Sequence, residues 1–305
     1  MLQRALVVGC GSIGVRHARL LTELGCNVAV VSQREVSVAI VYHDLSQALD
    51  LENPEYVVIA NVTSQHYDAL LMLAKLGYAG TVLVEKPIFS QSQDLLSLPF
   101  KKTFVGYNLR FHPIIARLKE LLEEERILSV SAYVGQYLPE WRPTTDYRTS
   151  YSASAEQGGG VLRDLSHELD YLTWLLGGWE RVSALGGHFS PLEITSDDVF
   201  ALMLVTPTCP VVTLQVNYLD RKTRRFIIIN TAKHTIEADL IKGLITVDRD
   251  DESLATERDH TYRAMHEAVL SGSTGSLCSL DEGLEILRLI ESAESAASGG
   301  KWVDR

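Results

Sequence analysis

The sequence predicts a protein of two domains, an α/β domain on a doubly wound parallel sheet followed by an α+β domain with a large, mostly antiparallel sheet. Strands and helices alternate through the first part of the chain, whereas strands follow one another without helices in the second part. The chain of 305 residues is longer than one average domain, and its 46% hydrophobic content suffices for two buried cores.

The first part of the chain alternates strands with helices. Short apolar runs bounded by turn residues predict the strands, and apolar residues at helical spacing predict the helices. The predicted strands are ALVVG (5–9), NVAVVS (27–32), VAIVY (38–42), EYVVIAN (55–61) and GTVLVE (80–85), and the predicted helices are IGVRHARLLTEL (13–24) and YDALLMLAKLG (67–77). Too few residues separate the second and third strands for a helical crossover, so we expect a bare loop at 33–37.

Three glycines, Gly9, Gly11 and Gly14, form a GxGxxG motif between the first strand and the first helix. Glycines also punctuate ordinary structural turns, but a strand before the motif and a helix after it are the context of a dinucleotide site. Gly9 would permit the tight turn, Gly11 the approach of backbone to a pyrophosphate, and Gly14 the close packing of helix on strand. The free N–H groups at the helix start, near Ser12 and Ile13, would hold the phosphate charge.

The end of the second predicted strand favours NADP(H) over NAD(H). An NAD site usually places an acidic residue there for the ribose hydroxyls, whereas this strand ends on Ser32. Ser32 can donate a hydrogen bond to a 2′-phosphate, and the planar guanidinium of Arg34 can clamp that phosphate. Glu35 would reverse the preference if the strand extended further.

The second part of the chain predicts successive strands joined by short polar turns. The strands are ILSVSAYVGQY (127–137), FALMLV (200–205), VVTLQVNYL (211–219), RFIIIN (225–230) and HTIEADL (234–240). Because no helices intervene, we expect a mostly antiparallel sheet. The α/β domain is expected to end near Phe111, which divides the chain into domains of residues 1–111 and 112–305.

Six motifs occur in the order and approximate spacing of the Gfo/Idh/MocA family of oxidoreductases, and the sequence resembles that family over nearly its whole length. The motifs are VVGCGSIGVRHARLL, VVIANVTSQHYDAL, VLVEKPI, VGYNLRFHP, EWRP and GGGVLRDLSHELDYLTWLLGG. The resemblance implies a Rossmann domain followed by a domain whose open sheet face carries substrate and subunit contacts, hence a homodimer or homotetramer. It also implies a closing helix, in SLDEGLEILRLIESAESAASGGKWV, that can pack back on the Rossmann domain.

The EKP motif places Lys86 at the C-terminal end of a predicted strand, the edge of a doubly wound sheet where ligands bind. A lysine there can hydrogen-bond a substrate hydroxyl or carbonyl oxygen, although a plain surface lysine is the alternative. The family resemblance implies that Lys86 is catalytic and binds both substrate and cofactor, with Glu85 in the cofactor site. It also implies a cis peptide bond before Pro87.

The segment after the glycine run supplies Asp164, His167 and Asp170. If this segment is helical, residues three apart share a face and can point into one cleft. A histidine suits the proton removal that accompanies hydride transfer from an alcohol, and a nearby carboxylate can fix its tautomer. By resemblance, His167 is the general acid/base and Asp164 its companion in binding substrate. The family more often has four residues from this aspartate to the histidine rather than three, so Asp170 remains an alternative orienting acid.

Further site residues follow from the resemblance. It implies cofactor contacts from the residues after the EYVVIAN strand and from the WR pair, and contacts near nicotinamide or substrate from the NLR segment. The long polar loop at 137–157 is expected to help set specificity. These candidates are Asn61, Thr63, His66, Trp141, Arg142 and Asn108 for the cofactor, and Arg110, Tyr147 and Arg148 for the substrate.

Composition argues against several classes of protein. The formal net charge of -11 disfavours nucleic acid or an anionic membrane surface as the main partner. No apolar run approaches the length of a membrane span, and we expect a cytoplasmic protein. The four cysteines are scattered and no histidines show ligand spacing, which predicts structural thiols and no metal site.

These features together predict reversible hydride transfer between a nicotinamide cofactor and a substrate carbon that carries a hydroxyl or carbonyl group. The resemblance implies a sugar, cyclitol or sugar derivative as substrate. Two alternatives stay open, a non-catalytic dinucleotide-binding sensor and a redox-neutral hydrolase or lyase in which tightly held NAD oxidises the sugar transiently. Intact Lys86 and His167 count against the sensor, and the hydrolase or lyase predicts a cofactor that co-purifies with the protein.

Overall fold

The computed structural model describes residues 3–34, 40–93, 98–141, 143 and 145–305. The chain divides into two units, which are described separately. The N-terminal unit comprises Met1–Phe111 and Asp259–Leu287, and the C-terminal unit comprises His112–Arg258 and Arg288–Arg305. The segment Asp259–Leu287 thus returns to the N-terminal unit from the second half of the sequence.

The strands and helices are numbered in chain order. The strands are β1 Arg4–Val8, β2 Asn27–Val31, β3 Ile40–Tyr42, β4 Tyr56–Ile59, β5 Thr81–Val84, β6 Lys102–Val105, β7 Ile127–Gly135, β8 Arg181–Gly187, β9 Val199–Val205, β10 Val212–Asn217, β11 Arg224–Thr231, β12 Thr235–Asp239, β13 Leu244–Val247, β14 Asp250–Ser253, β15 Cys278–Ser279 and β16 Val303–Asp304. The helices are α1 Ser12–Glu23, α2 Leu45–Glu52, α3 His66–Lys75, α4 Pro113–Leu122, α5 Val161–Asp164, α6 His167–Leu176, α7 His260–Ser271 and α8 Leu280–Gly299.

The sheet of the N-terminal unit has the strand order β15-β6-β5-β4-β1-β2-β3. All its pairs are parallel except β15 with β6, so the predicted doubly wound parallel sheet is confirmed. The central strand β1 pairs with β2 on one side and with β4 on the other, so the chain reverses its direction of winding there. The crevice outside the carboxyl ends of such strands is where this class of sheet binds its ligands.

The core of the N-terminal unit lies between this sheet and its helices. Strand residues such as Val7, Val58 and Leu83 are fully buried, and Leu21 of α1 and Met265 of α7 pack into the same cluster. Ion pairs on the surface also join α1 to the returning segment, from Arg19 to Asp259 and from Arg263 to Glu23. The apolar face of α7 is therefore buried against the first domain, which explains why Asp259–Leu287 joins it.

The connection from β2 to β3 runs through residues 32–39, and the two strands pair in parallel. The bare loop predicted at 33–37 lies mostly in Glu35–Ala39, outside the described residues. The described part of the predicted third strand, Ile40–Tyr42, is β3.

The C-terminal unit is built on a nine-stranded sheet of order β14-β13-β12-β11-β7-β10-β9-β8-β16. Its only parallel pair among the described strands is β10 with β7, so the predicted mostly antiparallel sheet is confirmed. Burial alternates along β9, with Phe200, Leu202 and Leu204 buried and Ala201 and Met203 exposed. One face of the sheet is therefore covered, and α5 packs on β9 and β10 there.

A buried ion pair fixes α6 on the same sheet. The Glu168 Oε1 atom lies 2.7 Å from Arg225 Nε of β11, and the Glu168 side chain is fully buried. Tyr171 donates a further hydrogen bond to Glu168 Oε1. Burial raises the pKa of Glu168 above its ordinary value, although the positive charge of Arg225 opposes that rise. Among the described helices, none is both long and apolar enough to cross a membrane.

Candidate active site

The glycine motif forms a tight loop between β1 and α1. Gly9 has a φ of +94°, and a Cβ placed on it would lie 2.5 Å from the backbone nitrogen of Asn61. A Cβ on Gly14 would lie 2.0 Å from the Gly9 carbonyl oxygen. Neither position has room for a side chain, so both glycines are required by the fold itself.

Gly11 differs from its two neighbours because a Cβ built on it meets nothing within 4 Å. It is the N-cap residue of α1, and no side chain caps this helix start. The first N–H groups of α1, near Ser12 and Ile13, therefore lack the usual side-chain acceptor. Open space beside an uncapped helix start fits a pyrophosphate, the group that the motif predicts there.

The loop after β4 carries Asn61, Thr63 and His66. The Asn61 Oδ1 atom is buried and has no hydrogen-bond partner among the described residues. His66 is buried, and its ring contacts the carbonyls of Asn61, at 3.2 Å from Nε2, and of Ile88, at 3.1 Å from Nδ1. Burial lowers the pKa of His66. His66 thus joins the loop after β4 to the loop after β5, and the orphaned Asn61 oxygen is available to a ligand.

Ser32 lies directly after β2 and is buried. Its Oγ accepts a hydrogen bond of 2.9 Å from the backbone N–H of Arg34, so its hydroxyl proton remains available for donation. The His43 ring lies 2.8 Å from the Ser32 carbonyl oxygen. The Arg34 side chain is exposed, and Glu35 lies outside the described residues.

The EKP motif follows β5, with Glu85 buried and Lys86 half-buried. The predicted cis peptide bond between Lys86 and Pro87 is confirmed. Glu85 points into the unit, because its Oε1 lies 2.9 Å from His17 Nε2 and its Oε2 accepts a hydrogen bond of 3.2 Å from the Lys86 backbone N–H. The carboxylate of Glu85 therefore faces the protein interior and supports the lysine next to it.

Asn108 and Arg110 lie in a short 3-10 turn after β6 and are both buried. Asn108 Nδ2 donates to Thr261 Oγ1 at 2.6 Å, and Arg110 forms an ion pair of 2.8 Å with Glu282. Each therefore ties the turn to the returning segment Asp259–Leu287. The Asn108 Oδ1 atom is buried and, within the described part of the chain, has no hydrogen-bond partner.

In the C-terminal unit, two acidic side chains, Asp197 and Asp164, lie at the short helix α5. Gly160, with a φ of +127°, precedes the helix, and Asp197 Oδ2 accepts a hydrogen bond of 3.0 Å from the Leu162 backbone N–H. Burial raises the pKa of Asp197 to about 6. Asp164, at the end of α5, accepts a hydrogen bond of 2.6 Å from the Tyr218 hydroxyl.

The segment that contains Asp164, His167 and Asp170 is not one continuous helix. It ends as α5 at Asp164, passes through a turn at Leu165 and resumes as α6 at His167. The backbone of Leu165, with φ −98° and ψ 25°, departs from helical values and breaks the hydrogen-bond ladder. His167 and Asp170 thus share the first turn of α6, whereas Asp164 lies on the preceding helix.

The polar loop after β7 holds the remaining predicted residues. Trp141 packs edge-on against Tyr218, with ring centroids 5.1 Å apart. The Tyr147 hydroxyl accepts a hydrogen bond from the backbone N–H of Glu193. Arg148 is exposed and forms ion pairs with Asp146 and Glu193, at 2.8 and 2.7 Å. Arg142 lies outside the described residues.

Sequence reasoning missed three groups that the fold brings to these positions. Tyr218 ends the β10 region beside Asp164, Asp197 caps α5, and His17 faces Glu85 from α1. Tyr218 and His17 are polar residues in an apolar run and in a helix, respectively, whereas Asp197 lies in a polar loop that gave no such signal. Within the described residues, no cluster of three or more histidines, cysteines and acidic residues is arranged to hold a metal ion. The four cysteines are buried and form no disulfide bond among the described residues.

Two family models match the chain. Residues 3–99 match the oxidoreductase family with an NAD-binding Rossmann fold, and residues 115–237 match the GFO/IDH/MocA C-terminal domain. Levoglucosan dehydrogenase of Pseudarthrobacter phenanthrenivorans is 24% identical over 149 residues, a match that spans 46% of this chain and 38% of that protein. The chain thus covers well under half the length of that relative.

Solved structures share the whole fold at low sequence identity. GenD2 from gentamicin A biosynthesis, in complex with NAD, has a TM-score of 0.82 and 21% identity, and the match covers 100% of this chain and 96% of that one. The WlbA dehydrogenase from Bordetella pertussis, in complex with NADH and UDP-GlcNAcA, has a TM-score of 0.81 and 20% identity, with coverage of 100% and 99%. Because the two family models lie in order and together cover most of the sequence, the chain belongs to the GFO/IDH/MocA family of oxidoreductases.

Proposed function

We propose that this protein is an NAD(P)-dependent dehydrogenase that acts on a CH–OH group of a sugar, cyclitol or sugar derivative. The observation that carries the proposal is the glycine loop, in which Gly9 and Gly14 are packed against backbone while Gly11 faces open space at an uncapped helix start. Such a loop binds a dinucleotide through backbone N–H groups. The orphaned Asn61 oxygen supports the same site.

When bound, the nicotinamide ring supplies a hydride acceptor or donor at C4. Lys86 then donates a hydrogen bond to the substrate oxygen and stabilises the charge that develops on it. His167 accepts the hydroxyl proton as the substrate carbon gives up a hydride, which leaves a carbonyl product. Asp164, fixed by Tyr218, binds a substrate hydroxyl or orients His167, and Asp170 in the same helical turn as His167 is the alternative orienting acid.

The proposed cofactor preference is NADP(H) over NAD(H), and it rests on two residues. Ser32 stands after β2 where an NAD site usually has an acidic residue, and its hydroxyl is free to donate. Arg34 is exposed two residues later and supplies a planar cation for a 2′-phosphate. Of the remaining candidates, Glu85 and His66 would act indirectly, because their polar atoms are engaged inside the unit.

The sugar-like substrate class is supported by the relatives, which are named for levoglucosan or solved with a sugar nucleotide. We also propose that the open face of the nine-stranded sheet, which exposes Leu185 and Met203, forms a homodimer or homotetramer. Light scattering on the Leu185→Glu variant tests this assembly, since a charge in the interface would yield monomer.

A turnover assay tests the proposed activity. Purified protein is incubated with NADP⁺ or NAD⁺ and a panel of sugars, cyclitols and sugar nucleotides, and reduced nicotinamide is measured. At least one substrate should be oxidised, and Lys86→Met and His167→Asn should each lower the rate by about 100-fold or more. If cofactor binds and no substrate is oxidised, a regulatory role replaces the proposal. Cofactor that co-purifies and a substrate that is cleaved without net reduction would identify a redox-neutral lyase or hydrolase.

A further inference from the structure

Four buried polar side chains form an unbroken hydrogen-bonded chain inside the N-terminal unit. Glu85 Oε1 lies 2.9 Å from His17 Nε2, His17 Nδ1 lies 2.8 Å from His266 Nε2, and His266 Nδ1 lies 3.1 Å from the Tyr56 hydroxyl. His17, His266 and Tyr56 are 0% exposed, and Glu85 is 7% exposed. This hydrogen-bonded chain joins α1, α7, β4 and the end of β5.

The number of protons in this chain is fixed by its geometry. Three hydrogen bonds need three protons, and a phenol with two neutral imidazoles supplies three when Glu85 is ionised. Tyr56 then donates to His266, His266 donates through Nε2 to His17, and His17 donates through Nε2 to Glu85. If His17 were protonated, it would donate a hydrogen bond from both ring nitrogens. His266 would then have to accept at Nε2 and carry its proton on Nδ1, so the Tyr56 hydroxyl would lose its acceptor. The ionised Glu85 with two neutral rings therefore satisfies every group.

The environment favours the same arrangement. Burial lowers the pKa of His266 well below its ordinary value, which keeps that ring neutral. Burial raises the pKa of Glu85, but the hydrogen bond from His17 and the positive charge of Lys86 outweigh it, and the pKa lies below the ordinary value. Other titratable groups also lie near these four side chains. The Tyr262 ring packs edge-on against His17, Arg16 lies over the Tyr262 ring, and Cys26 and Tyr78 act electrostatically on Tyr56.

The hydrogen-bonded chain ends next to Lys86, the proposed catalytic lysine. While Oε1 of Glu85 is held by His17, Oε2 accepts the backbone N–H of Lys86. A Cβ on Gly106 of the adjacent segment would lie 2.8 Å from Glu85 Oε1, so the carboxylate is also confined sterically. One oxygen of Glu85 is therefore held by an interior side chain, and the other oxygen holds the backbone at Lys86.

We propose that His17 is a positioning residue of the active site, which acts through Glu85 to keep a carboxylate ionised and aimed at the backbone of Lys86, with His266 and Tyr56 fixing the tautomer of His17. The inference rests on the proposed role of Lys86. Apolar side chains of similar volume would stabilise this core equally well, because buried charged groups carry a desolvation penalty. The hydrogen-bonded chain instead supplies a fixed negative charge beside the lysine.

Two substitutions at His17 separate positioning from simple packing. In His17→Gln, the side-chain amide can still donate to Glu85 and accept from His266. In His17→Phe, the volume is kept but Glu85 loses its donor. Tyr78→Phe is the matched control, since it removes a buried hydroxyl of the same unit that donates to the Thr81 carbonyl, outside the hydrogen-bonded chain.

The first readout requires no substrate. In protein labelled with ¹⁵N in histidine and lysine, the ring spectra should show the Nε2–H tautomer for both His17 and His266. The Lys86 amide proton should lose hydrogen-exchange protection by about tenfold or more in His17→Phe and remain within about threefold of the natural protein in His17→Gln and Tyr78→Phe. Opposite tautomers, or an unchanged Lys86 amide in a folded His17→Phe, would overturn the proposal.

The second readout uses the substrate identified by the turnover assay. His17→Phe should lower kcat by about 10- to 100-fold with KM and cofactor affinity within about threefold, and it should move the acidic limb of the kcat pH profile to higher pH because Glu85 then protonates more easily. His17→Gln should restore kcat to within about fivefold. Equal loss of kcat in both variants, or a loss of cofactor affinity instead of kcat, would contradict the positioning role. If no substrate is found, the Lys86 amide result still decides this proposal, while the proposed activity fails separately.

Discussion

The Tyr218 hydroxyl donates a hydrogen bond of 2.6 Å to Asp164 Oδ2, and both side chains are buried in the C-terminal unit. Burial and the charge of Asp164 raise the pKa of Tyr218 well above its ordinary value, so the phenol remains a donor over the whole physiological range. The pair joins β10 to α5 and fixes the carboxylate that the family resemblance assigns to the substrate site.

Tyr218→Phe is expected to lower activity more than it lowers stability. Loss of the donor leaves a buried carboxylate oxygen without its partner, which costs about 1–3 kcal/mol of unfolding free energy. Because Asp164 then loses the contact that fixes its position, kcat/KM should fall by about tenfold or more while cofactor affinity stays unchanged. Denaturant unfolding, cofactor titration and steady-state kinetics measure the three quantities.

Tyr133→Phe is the control for this variant, since the Tyr133 hydroxyl donates to Asp220 in the same unit. It should lose a comparable hydrogen bond without the loss of activity. Full activity in a folded Tyr218→Phe protein would show that Asp164 does not depend on this contact.

The glycine motif allows the fold and the ligand to be tested separately. A Cβ on Gly14 would lie 2.0 Å from the Gly9 carbonyl oxygen, whereas a Cβ on Gly11 meets nothing within 4 Å. Gly14→Ala should therefore destabilise the protein by about 2 kcal/mol or more. Gly11→Ala should leave the melting temperature nearly unchanged and weaken dinucleotide binding by about tenfold or more, because the methyl group occupies the space for the pyrophosphate. Unchanged binding in Gly11→Ala would remove the loop as the phosphate site.

The pair of Glu168 and Arg225 predicts a pH-dependent loss of stability. Arg225→Met leaves the buried carboxyl without its cation, so its pKa rises further above that of an unfolded glutamate. A raised pKa in the folded state means that stability falls as pH increases from the unfolded pKa towards the folded one. The variant should lose about 3–5 kcal/mol at pH 8 and less at pH 5.

Arg224→Met provides the matched control for Arg225→Met. Arg224 is the preceding residue of β11, and its half-exposed guanidinium pairs with Asp220 at 3.2 Å. Exposed pairs contribute about 0–1 kcal/mol, so this variant should stay close to the natural protein at both pH values. Equal losses in the two variants, measured by urea unfolding, would refute the account of the buried pair.

Sequence patterns predicted the fold because most of its elements are strongly periodic or apolar. Strands β1, β2, β4 and β5 and helices α1 and α3 lie where the apolar runs indicated. Helix α2, which buries only Ala48, and strand β6, whose first residues are partly exposed, were missed because their apolar signal is weak. Their formation depends on neighbours in the sheet and on the N-cap at Asp44 rather than on local pattern.

The site was predictable only where it is local in sequence. Short motifs contain Gly9, Gly11, Gly14 and Lys86, and the chemistry of these motifs can be inferred from the sequence alone. Tyr218 and Asp164 are 54 residues apart, and His17 and His266 are 249 residues apart, so no local spacing indicated that they meet. The break between α5 and α6 was also missed, since a single turn at Leu165 does not disturb the apolar periodicity around it.

Calorimetric titration of the cofactor-free protein with NADPH and NADH measures whether a dinucleotide binds and which one is preferred. We expect that the protein binds a dinucleotide, that NADPH binds more tightly, and that Arg34→Ala weakens NADPH binding by about tenfold or more with little effect on NADH. Equal or tighter binding of NADH would refute the role of Ser32 and Arg34 in selecting the cofactor. Failure to bind either dinucleotide would contradict the account as a whole.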